Sequence, residues 1–344
     1  MDEVLAARRA RPVRFLPRFA SAMLAFPLML ASVAATAETH PGQAELVREV
    51  ARDTGKSVKS LNAILDGAKK QQSIIDAMNR PAEGKPWKDY RPIFLTEERI
   101  AAGAEFYRTH RKLLDTIGRR YGVPPEYIVA IVGVETFYGR NTGKYKVLDA
   151  LTTLAFYYPK RAPFFRGELK TLLELPSNHL AGPLDTLTGS YAGAQGWGQF
   201  MPSSIRQWGV DYDGDGRIDM KGNLGDIFAS VANYFAEHGW ETGGPVVARA
   251  QPDRRAEAPA VPKDWRPTGT VEGFVAEGFA PLQHLNPGRD AQLVRLDGPA
   301  GDEYWFTFQN FYVITTYNRS PMYALAVHQL AQEIRARVIG PNGR

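Results

Sequence analysis

The chain has 344 residues, of which 44% are hydrophobic and 23% charged, so it is a globular protein large enough for more than one lobe. Its formal net charge is +5, but five arginines and two acids in residues 1–37 account for +3 of it. The remaining +2, without a basic cluster interleaved with aromatics, excludes a typical nucleic-acid-binding protein.

Residues 1–37 have the pattern of a secretory signal peptide. Arginines lead into an apolar stretch at residues 19–35, and a small-x-small cleavage pattern ends at Ala37. We predict cleavage after Ala37 and a periplasmic location. The alternative is an uncleaved membrane anchor, which the short apolar run and its Pro27 disfavour. The sequence has no cysteine, which excludes disulfides and attachment of a lipid anchor through cysteine.

Helical patterns follow the signal. They cover residues 43–54, 59–68 and 72–78, and after a polar stretch a long amphipathic pattern covers residues 96–118. We assign residues 38–118 to an N-terminal helical lobe.

The next helix is predicted to begin near Pro125, since proline is favoured in a first helical turn. Residues 128–134 are apolar all round, which predicts a buried helix, and Gly139 can end it. Glu135 then lies in or near the last turn. Burial and the negative end of the helix dipole both raise the pKa of a carboxyl group there, as a general acid requires. The alternative is a structural acid paired with lysine or arginine.

Residues 189–204, GSYAGAQGWGQFMPSS, combine glycines, two amides and three aromatic rings. Such a loop is typical of a sugar-binding surface, so together with a lone buried acid it indicates an enzyme acting on a polysaccharide. A two-carboxylate glycosidase needs a second acid roughly 5 to 10 Å from the first. Asp149, Glu168 and Asp185 are candidates by sequence, but none has surroundings comparable to those of Glu135.

Residues 211–219, DYDGDGRID, resemble the start of a calcium loop, with carboxylates at positions 1, 3 and 5, glycine at 6 and a backbone carbonyl at 7. Position 12 is Gly222 instead of the usual glutamate, and the available closing ligand lies at position 16. We predict a structural Ca²⁺ that stabilises the fold, and no cofactor for catalysis. The alternative is a solvated acidic turn. The predicted ligands are Asp211, Asp213, Asp215, the carbonyl of Arg217, and Asp226.

From residue 243 to about 309, prolines are spread among short β-like runs at residues 293–296 and 304–308, which predicts a small β-rich lobe. Residues 311–316 lead into a final helix, whose apolar spacing is regular from Tyr323 onward.

Four motifs in order across residues 85–335 resemble the lytic murein transglycosylase B family (glycoside hydrolase family 103). They are GVETFYGRNTGKYKVLDALTTLAFYYPKRAPFF, GSYAGAQGWGQFMPSS, SVANYFAEHGW and ITTYNRSPMYALAV. The resemblance implies an α+β, mainly α fold. Its parts would be a lysozyme-like core at residues 119–242 beside the helical lobe, a β-rich lobe at 243–310, and a segment at 311–344 that returns to the core and helical lobe.

The resemblance also implies cleavage of the β-1,4 bond between N-acetylmuramic acid and N-acetylglucosamine in peptidoglycan, without water, to leave a 1,6-anhydromuramic end. Glu135 would protonate the glycosidic oxygen and then deprotonate the muramoyl 6-hydroxyl, which attacks C1. A second acid is unnecessary because the substrate supplies the nucleophile, and its 2-acetamido group can assist. We expect peptidoglycan as the partner of a monomeric enzyme. The rival hypotheses are a true hydrolase, a non-catalytic murein-binding scaffold and a calcium-dependent adhesion module.

Further substrate-binding residues follow from the same matching of motifs. Phe200 would form an apolar floor for a sugar face, and Lys160 with Arg161 would meet lactyl or peptide carboxylates. Lysine at a position where the family often has a second arginine weakens a bidentate clamp. The remaining matched residues are Ser190, Gln199, Tyr90, Tyr234, Tyr317, Asn318 and Tyr323. For each tyrosine, the alternative is a packed core residue whose hydroxyl has a partner.

Overall fold

The structure is a computed structural model that describes residues 40–79 and 85–340. The predicted signal peptide lies outside the described residues, so it stays a prediction. In the described part of the chain, no helix combines the length and apolar character needed to cross a membrane.

The N-terminal part is helical, as predicted. Its helices are α1 (Gln43–Thr54), α2 (Val58–Asp66), α3 (Gln72–Met78), α4 (Trp87–Phe94) and α5 (Glu97–Tyr121). Side chains at the N-caps fix the starts of two of them, because Ser57 accepts a hydrogen bond from Ser60 N and Thr96 accepts one from Arg99 N. Helix α4 was not predicted, since Pro92 lies inside it.

Five further helices follow along the chain, and the predicted catalytic helix is the first of them. They are α6 (Pro125–Thr136), α7 (Val147–Tyr157), α8 (Ala162–Glu174), α9 (Pro202–Trp208) and α10 (Leu224–Glu237). Helix α6 begins at Pro125 as predicted, and residues 128–134 are all buried. It packs against α5 and α10, so the position of Glu135 at its end is fixed by core packing on several sides.

The β structure consists of a two-stranded pair and a five-stranded sheet. The strands are β1 (Tyr145–Lys146), β2 (Thr188–Gly189), β3 (Val247–Pro252), β4 (Gly269–Thr270), β5 (Phe279–Pro281), β6 (Asp290–Gly298) and β7 (Gly301–Thr307). The large sheet has the order β4-β6-β7-β3-β5 with antiparallel pairs throughout. Strand β6 contains the predicted β run at residues 293–296, and β7 contains all but the last residue of the run at 304–308. A short helix, α11 (Val271–Ala276), packs beside it.

The chain then returns to the helices. Helix α12 (Gln309–Tyr317) was predicted only as a leading segment, whereas α13 (Pro321–Ile339) matches the predicted final helix. Helix α13 packs against α4, α5 and α6 through a buried apolar face, and this packing brings its first turn to the end of α6. The structure is therefore mainly α with a small sheet. The exact division into lobes stays a prediction.

Candidate active site

Helix α6 ends one residue after Glu135, in strained backbone. The sequence predicted Gly139 as the cap, but Phe137 holds that place at φ 52° and donates its N–H to Gly133 O. Phe137, Tyr138 and Gln199 are the non-glycine residues with positive φ in residues 40–79 and 85–340. Left-handed backbone is costly for such residues and tends to be retained at functional sites. All three lie in the two segments that the sequence singled out.

The glycine-rich loop is fastened directly to the end of α6. Thr136 Oγ1 donates to Trp197 O at 3.0 Å and accepts from Gly139 N at 3.0 Å. Gln199 Nε2 donates to Thr142 O at 3.2 Å. Gly139 has to be glycine on two counts, since its φ is 83° and a Cβ there would overlap the Trp197 ring. The loop and the acid therefore form one rigid unit.

Glu135 is hydrogen-bonded by a tyrosine from a distant part of the chain. Tyr323, in the first turn of α13, donates its hydroxyl to Glu135 Oε1 at 2.5 Å. Burial raises the pKa of Glu135 to about 7, and the hydrogen bond from Tyr323 opposes this rise. Burial also holds the pKa of Tyr323 well above its ordinary range, so the tyrosine stays a neutral donor. The acid can exchange a proton near neutral pH.

A cavity of about 720 Å³ contains four of the predicted residues. Glu135 and Tyr323 are not among its lining residues, but Tyr317 is, and the pKa of Tyr317 is raised by burial and by the charge of the nearby Glu135. The four predicted residues are Gln199, Phe200, Tyr234 and Tyr317, with ring centroids 5.9 Å apart for Phe200–Tyr317 and 4.8 Å apart for Tyr234–Tyr317. Tyr317 donates its hydroxyl to Gly198 O at 2.6 Å, and Tyr234 donates to Thr316 O at 2.7 Å. Both tyrosines therefore combine a partnered hydroxyl with a ring at the cavity.

Four predicted substrate-binding residues contribute mainly to the packing or the backbone structure of the protein. Phe200 is only 2% exposed, so little of its ring is open to a ligand. Tyr90 is also buried, with its ring 5.1 Å from that of Phe94. Ser190 Oγ accepts a hydrogen bond from Ala194 N at 3.1 Å and thus shapes the loop. Asn318 follows α12 directly as its C-cap.

The predicted basic pair is split by the structure. Arg161 lies over the ring of Phe164 at 4.6 Å, and Phe164 lines the large cavity. Lys160 instead donates from Nζ to Asn79 Oδ1 at 3.4 Å. The two cations thus make different contacts, and Arg161 is linked to the cavity only through Phe164.

The structure holds two of the three candidate second acids in hydrogen bonds and places the third at a separate cavity. Asp149 is buried and accepts a hydrogen bond from Lys69 N at 2.9 Å. Glu168 borders the large cavity, but it accepts from Ser203 N at 2.9 Å and from Ser203 Oγ at 2.6 Å, which fixes the start of α9. Asp185 is exposed and lines a separate cavity. The role of Glu135 as the single acid of the site stays a prediction.

The acidic loop between α9 and α10 brings three predicted ligands together. Carboxylate oxygens of Asp211, Asp213 and Asp226 lie within 4.8 Å of one another. Asp226 is fully buried, and its pKa is raised by burial and by the charges of Asp213 and Asp211. Mutual repulsion around a buried carboxylate, with only oxygen donors, fits a hard divalent cation such as Ca²⁺. Asp215 lies outside this trio and accepts from Arg217 N at 2.8 Å.

Sequence reasoning missed several residues of the cavity wall. Trp208 and His238 contact Tyr234, with ring centroids 4.7 Å and 3.9 Å from it. A signal for His238 was available, because it lies four residues after Tyr234 and so on the same helical face. Trp208 carried no such signal. Lys263, Trp265 and Arg319 also line the cavity from distant segments.

The chain is similar to known transglycosylases over most of its length. Residues 38–332 match the family model described as the transglycosylase SLT domain. The chain is 40% identical over 305 residues to the membrane-bound lytic murein transglycosylase B of Escherichia coli K12, covering 86% of this chain and 83% of that protein.

Two solved structures are similar in fold. The catenated lytic transglycosylase SltB1 from Pseudomonas aeruginosa has a TM-score of 0.81 and 48% identity, covering 87% of this chain and 99% of the other. The Escherichia coli lytic transglycosylase Slt35 in complex with calcium has a TM-score of 0.79 and 38% identity, covering 88% and 95% of the two chains.

Proposed function

The chain belongs to the transglycosylase SLT domain family, and from that premise we propose that Glu135 is its single catalytic acid and base. The protein is a lytic transglycosylase with a lysozyme-like fold. It cleaves the β-1,4 bond between N-acetylmuramic acid and N-acetylglucosamine in peptidoglycan and leaves 1,6-anhydromuramic ends.

In the first step Glu135 acts as the acid. With a pKa of about 7 it is largely protonated below neutral pH, and its proton passes to the glycosidic oxygen as the bond from that oxygen to C1 breaks. The developing carboxylate accepts the hydrogen bond from Tyr323. This bond strengthens as charge forms, so it stabilises the product of proton transfer.

In the second step the carboxylate acts as the base. It removes the proton of the muramoyl 6-hydroxyl while that oxygen bonds to C1, which closes the anhydro ring and restores the acid. No water enters the balance. The observation that carries this assignment is the partly buried Glu135, whose pKa is raised to about 7 and whose carboxyl group accepts the hydrogen bond of Tyr323. Of the three alternative acids, Asp149 and Glu168 are held by hydrogen bonds and Asp185 is exposed at a separate cavity.

The large cavity would hold the sugar chain. Gln199 and the rings of Tyr234 and Tyr317 line it, and aromatic faces suit the apolar faces of sugars. Arg161, stacked on Phe164, would meet a lactyl or peptide carboxylate at its edge. Tyr90, Phe200 and Ser190 would act mainly by holding the surrounding structure.

We also propose a structural Ca²⁺ on the acidic loop, because its carboxylates repel one another around the buried Asp226. Asp211, Asp213 and Asp226 would hold the ion, and Asp215 and the carbonyl of Arg217 would complete the loop. The ion would join the start of α10 to the preceding loop. We further propose that the protein is exported to the periplasm, where it acts as a monomer without a lipid anchor.

The catalytic assignment is tested with two glutamines on one helix. Glu135→Gln should lower the release of anhydromuropeptides from purified peptidoglycan about 10³-fold, the contribution of a typical general acid. Glu126→Gln is the matched control, since Glu126 is also buried on α6 but lies 3.7 Å from Arg335. It should keep near wild-type activity. Wild-type activity in Glu135→Gln would overturn the assignment and favour the non-catalytic scaffold.

A further inference from the structure

A second cavity of about 400 Å³ lies at the short β1–β2 pair. Three of its lining residues are lysines, and we call it the lysine groove. It is lined by Gly67, Lys69, Gln71, Lys144, Tyr145, Lys146 and Asp149. A neighbouring cavity of about 410 Å³ shares Gly67, Lys146 and Asp149 with it and adds the apolar side chains of Ala63, Ile64, Leu148 and Leu184 and the exposed carboxylate of Asp185.

The charge of the lysine groove is not compensated within the described part of the chain. Lys69, Lys144 and Lys146 are exposed, and none forms an ion pair with a described carboxylate. The single acid in the lining, Asp149, is 7% exposed, and its oxygens accept from Lys69 N at 2.9 Å and from Gln71 Nε2 at 3.2 Å. The groove thus presents ammonium groups to an outside anion.

The lysine groove is connected to the active site through the backbone. Tyr145 pairs with Gly189 and Lys146 with Thr188 in the β1–β2 ladder, and Gly189 leads directly into the glycine-rich loop. Just before β1, Thr142 O accepts the side-chain amide of Gln199. Residues 142–146 therefore run from the wall of the catalytic site to the wall of the lysine groove.

We propose that the lysine groove binds the carboxylates of a peptide stem carried by the polysaccharide substrate. The inference rests on the proposed function, since a glycan strand passing Glu135 extends beyond it and presents its stems outside the large cavity. Lysine suits this role because it is a point charge on a flexible stem and adapts to carboxylates of varied geometry. The adjoining apolar cavity accommodates small apolar side chains of the same stem.

The groove acts on binding and not on the chemical step. Its ammonium groups are exposed to solvent, where one ion pair contributes modestly and is screened by salt. Removing two of them should weaken binding of a stem-bearing strand about fivefold. The turnover number should not change, because the lysines do not touch the reacting atoms.

The test compares Lys144→Gln/Lys146→Gln with Lys112→Gln/Arg119→Gln. The second pair removes the same charge from the exposed face of α5. Soluble glycan strands are prepared with their stems intact and with the stems removed by an amidase. KM and kcat are measured on both. Dissociation constants for both strands are measured with the same substitutions placed in the Glu135→Gln protein, so that binding is read out independently of turnover.

We expect a roughly fivefold higher KM and dissociation constant for stem-bearing strands alone, with kcat unchanged and the α5 pair like wild type. Wild-type binding of stem-bearing strands by the lysine variant would overturn the inference. An equal loss on both strands would also overturn it, by showing that the groove recognises the glycan. Failure of the proposed function looks different, since Glu135→Gln would then cleave both kinds of strand like the wild type. Failure of the inference alone would leave Glu135→Gln inactive and the binding of stem-bearing strands unchanged by the lysine substitutions.

Discussion

Replacing Glu135 should stabilise the protein at alkaline pH. Burial raises its pKa from 4.5 to about 7, so the folded state holds a proton that the unfolded state has released between these values. The contribution of Glu135 to the unfolding free energy is therefore fully present below pH 4.5. It is lost as the pH rises through 7, because the carboxyl group then ionises in the folded protein as well. Glu135→Gln removes the titration and keeps an oxygen that can accept the hydrogen bond of Tyr323.

The size of the effect depends on the shift in pKa. At about 1.36 kcal/mol per pKa unit, ionisation of Glu135 should destabilise the folded state by ~3 kcal/mol at pH 8 and by under ~1 kcal/mol at pH 5. The gain in unfolding free energy of Glu135→Gln over wild type should thus grow by roughly 2 kcal/mol between these pH values, with some reduction because the side chain is partly exposed. The raised pKa that serves catalysis therefore lowers stability at alkaline pH.

Urea unfolding of both proteins at pH 5 and pH 8 measures the difference. Glu97→Gln is the control, because the pKa of that exposed acid is held below its usual value by a hydrogen bond to Arg337. Its effect should be small and the same at both pH values. An equal change in unfolding free energy for Glu135→Gln at pH 5 and pH 8, or a larger loss at pH 8, would refute the reasoning.

Three further substitutions test neighbouring parts of the structure. Tyr323→Phe removes the hydrogen bond that lowers the pKa of Glu135, so the alkaline limb of the kcat profile should move to higher pH while kcat falls; an unchanged profile would contradict this. Asp226→Asn should reduce the rise in Tm that Ca²⁺ gives over a chelator, measured by scanning calorimetry, and an undiminished rise would remove Asp226 from the site. Glu168→Gln should keep kcat within about threefold of the wild-type value. It should lower the unfolding free energy measured with urea by roughly 1–3 kcal/mol, because the charge-assisted hydrogen bonds from Ser203 are lost. A loss of activity as deep as that of Glu135→Gln would instead support a two-carboxylate hydrolase.

Local signals in the sequence predicted local structure well. Pro125 marked the start of α6, and the apolar run after it marked a buried helix with Glu135 at its end. The same rules missed α4, because Pro92 interrupts its pattern. They also placed the cap of α6 at Gly139, since the left-handed conformation of Phe137 is one that propensity disfavours and tertiary packing imposes.

Contacts between distant segments could not be read in this way. The resemblance named Tyr323 as a groove residue, but its hydrogen bond to Glu135 spans 188 positions and depends on how α13 packs against α6. Lys160 and Arg161 show the converse case. They are adjacent in sequence and were predicted to act as a pair, but their side chains make separate contacts. The contact that holds Glu168 was not readable either, because Ser203 lies 35 residues further along the chain.

The most direct test of cleavage without water is digestion of purified peptidoglycan in ¹⁸O-labelled water, followed by mass spectrometry of the soluble fragments. We expect 1,6-anhydromuramic ends that carry no ¹⁸O, formed by the wild type and Glu126→Gln but not by Glu135→Gln. Reducing muramic ends that carry ¹⁸O would contradict this mechanism, because water would then be the nucleophile.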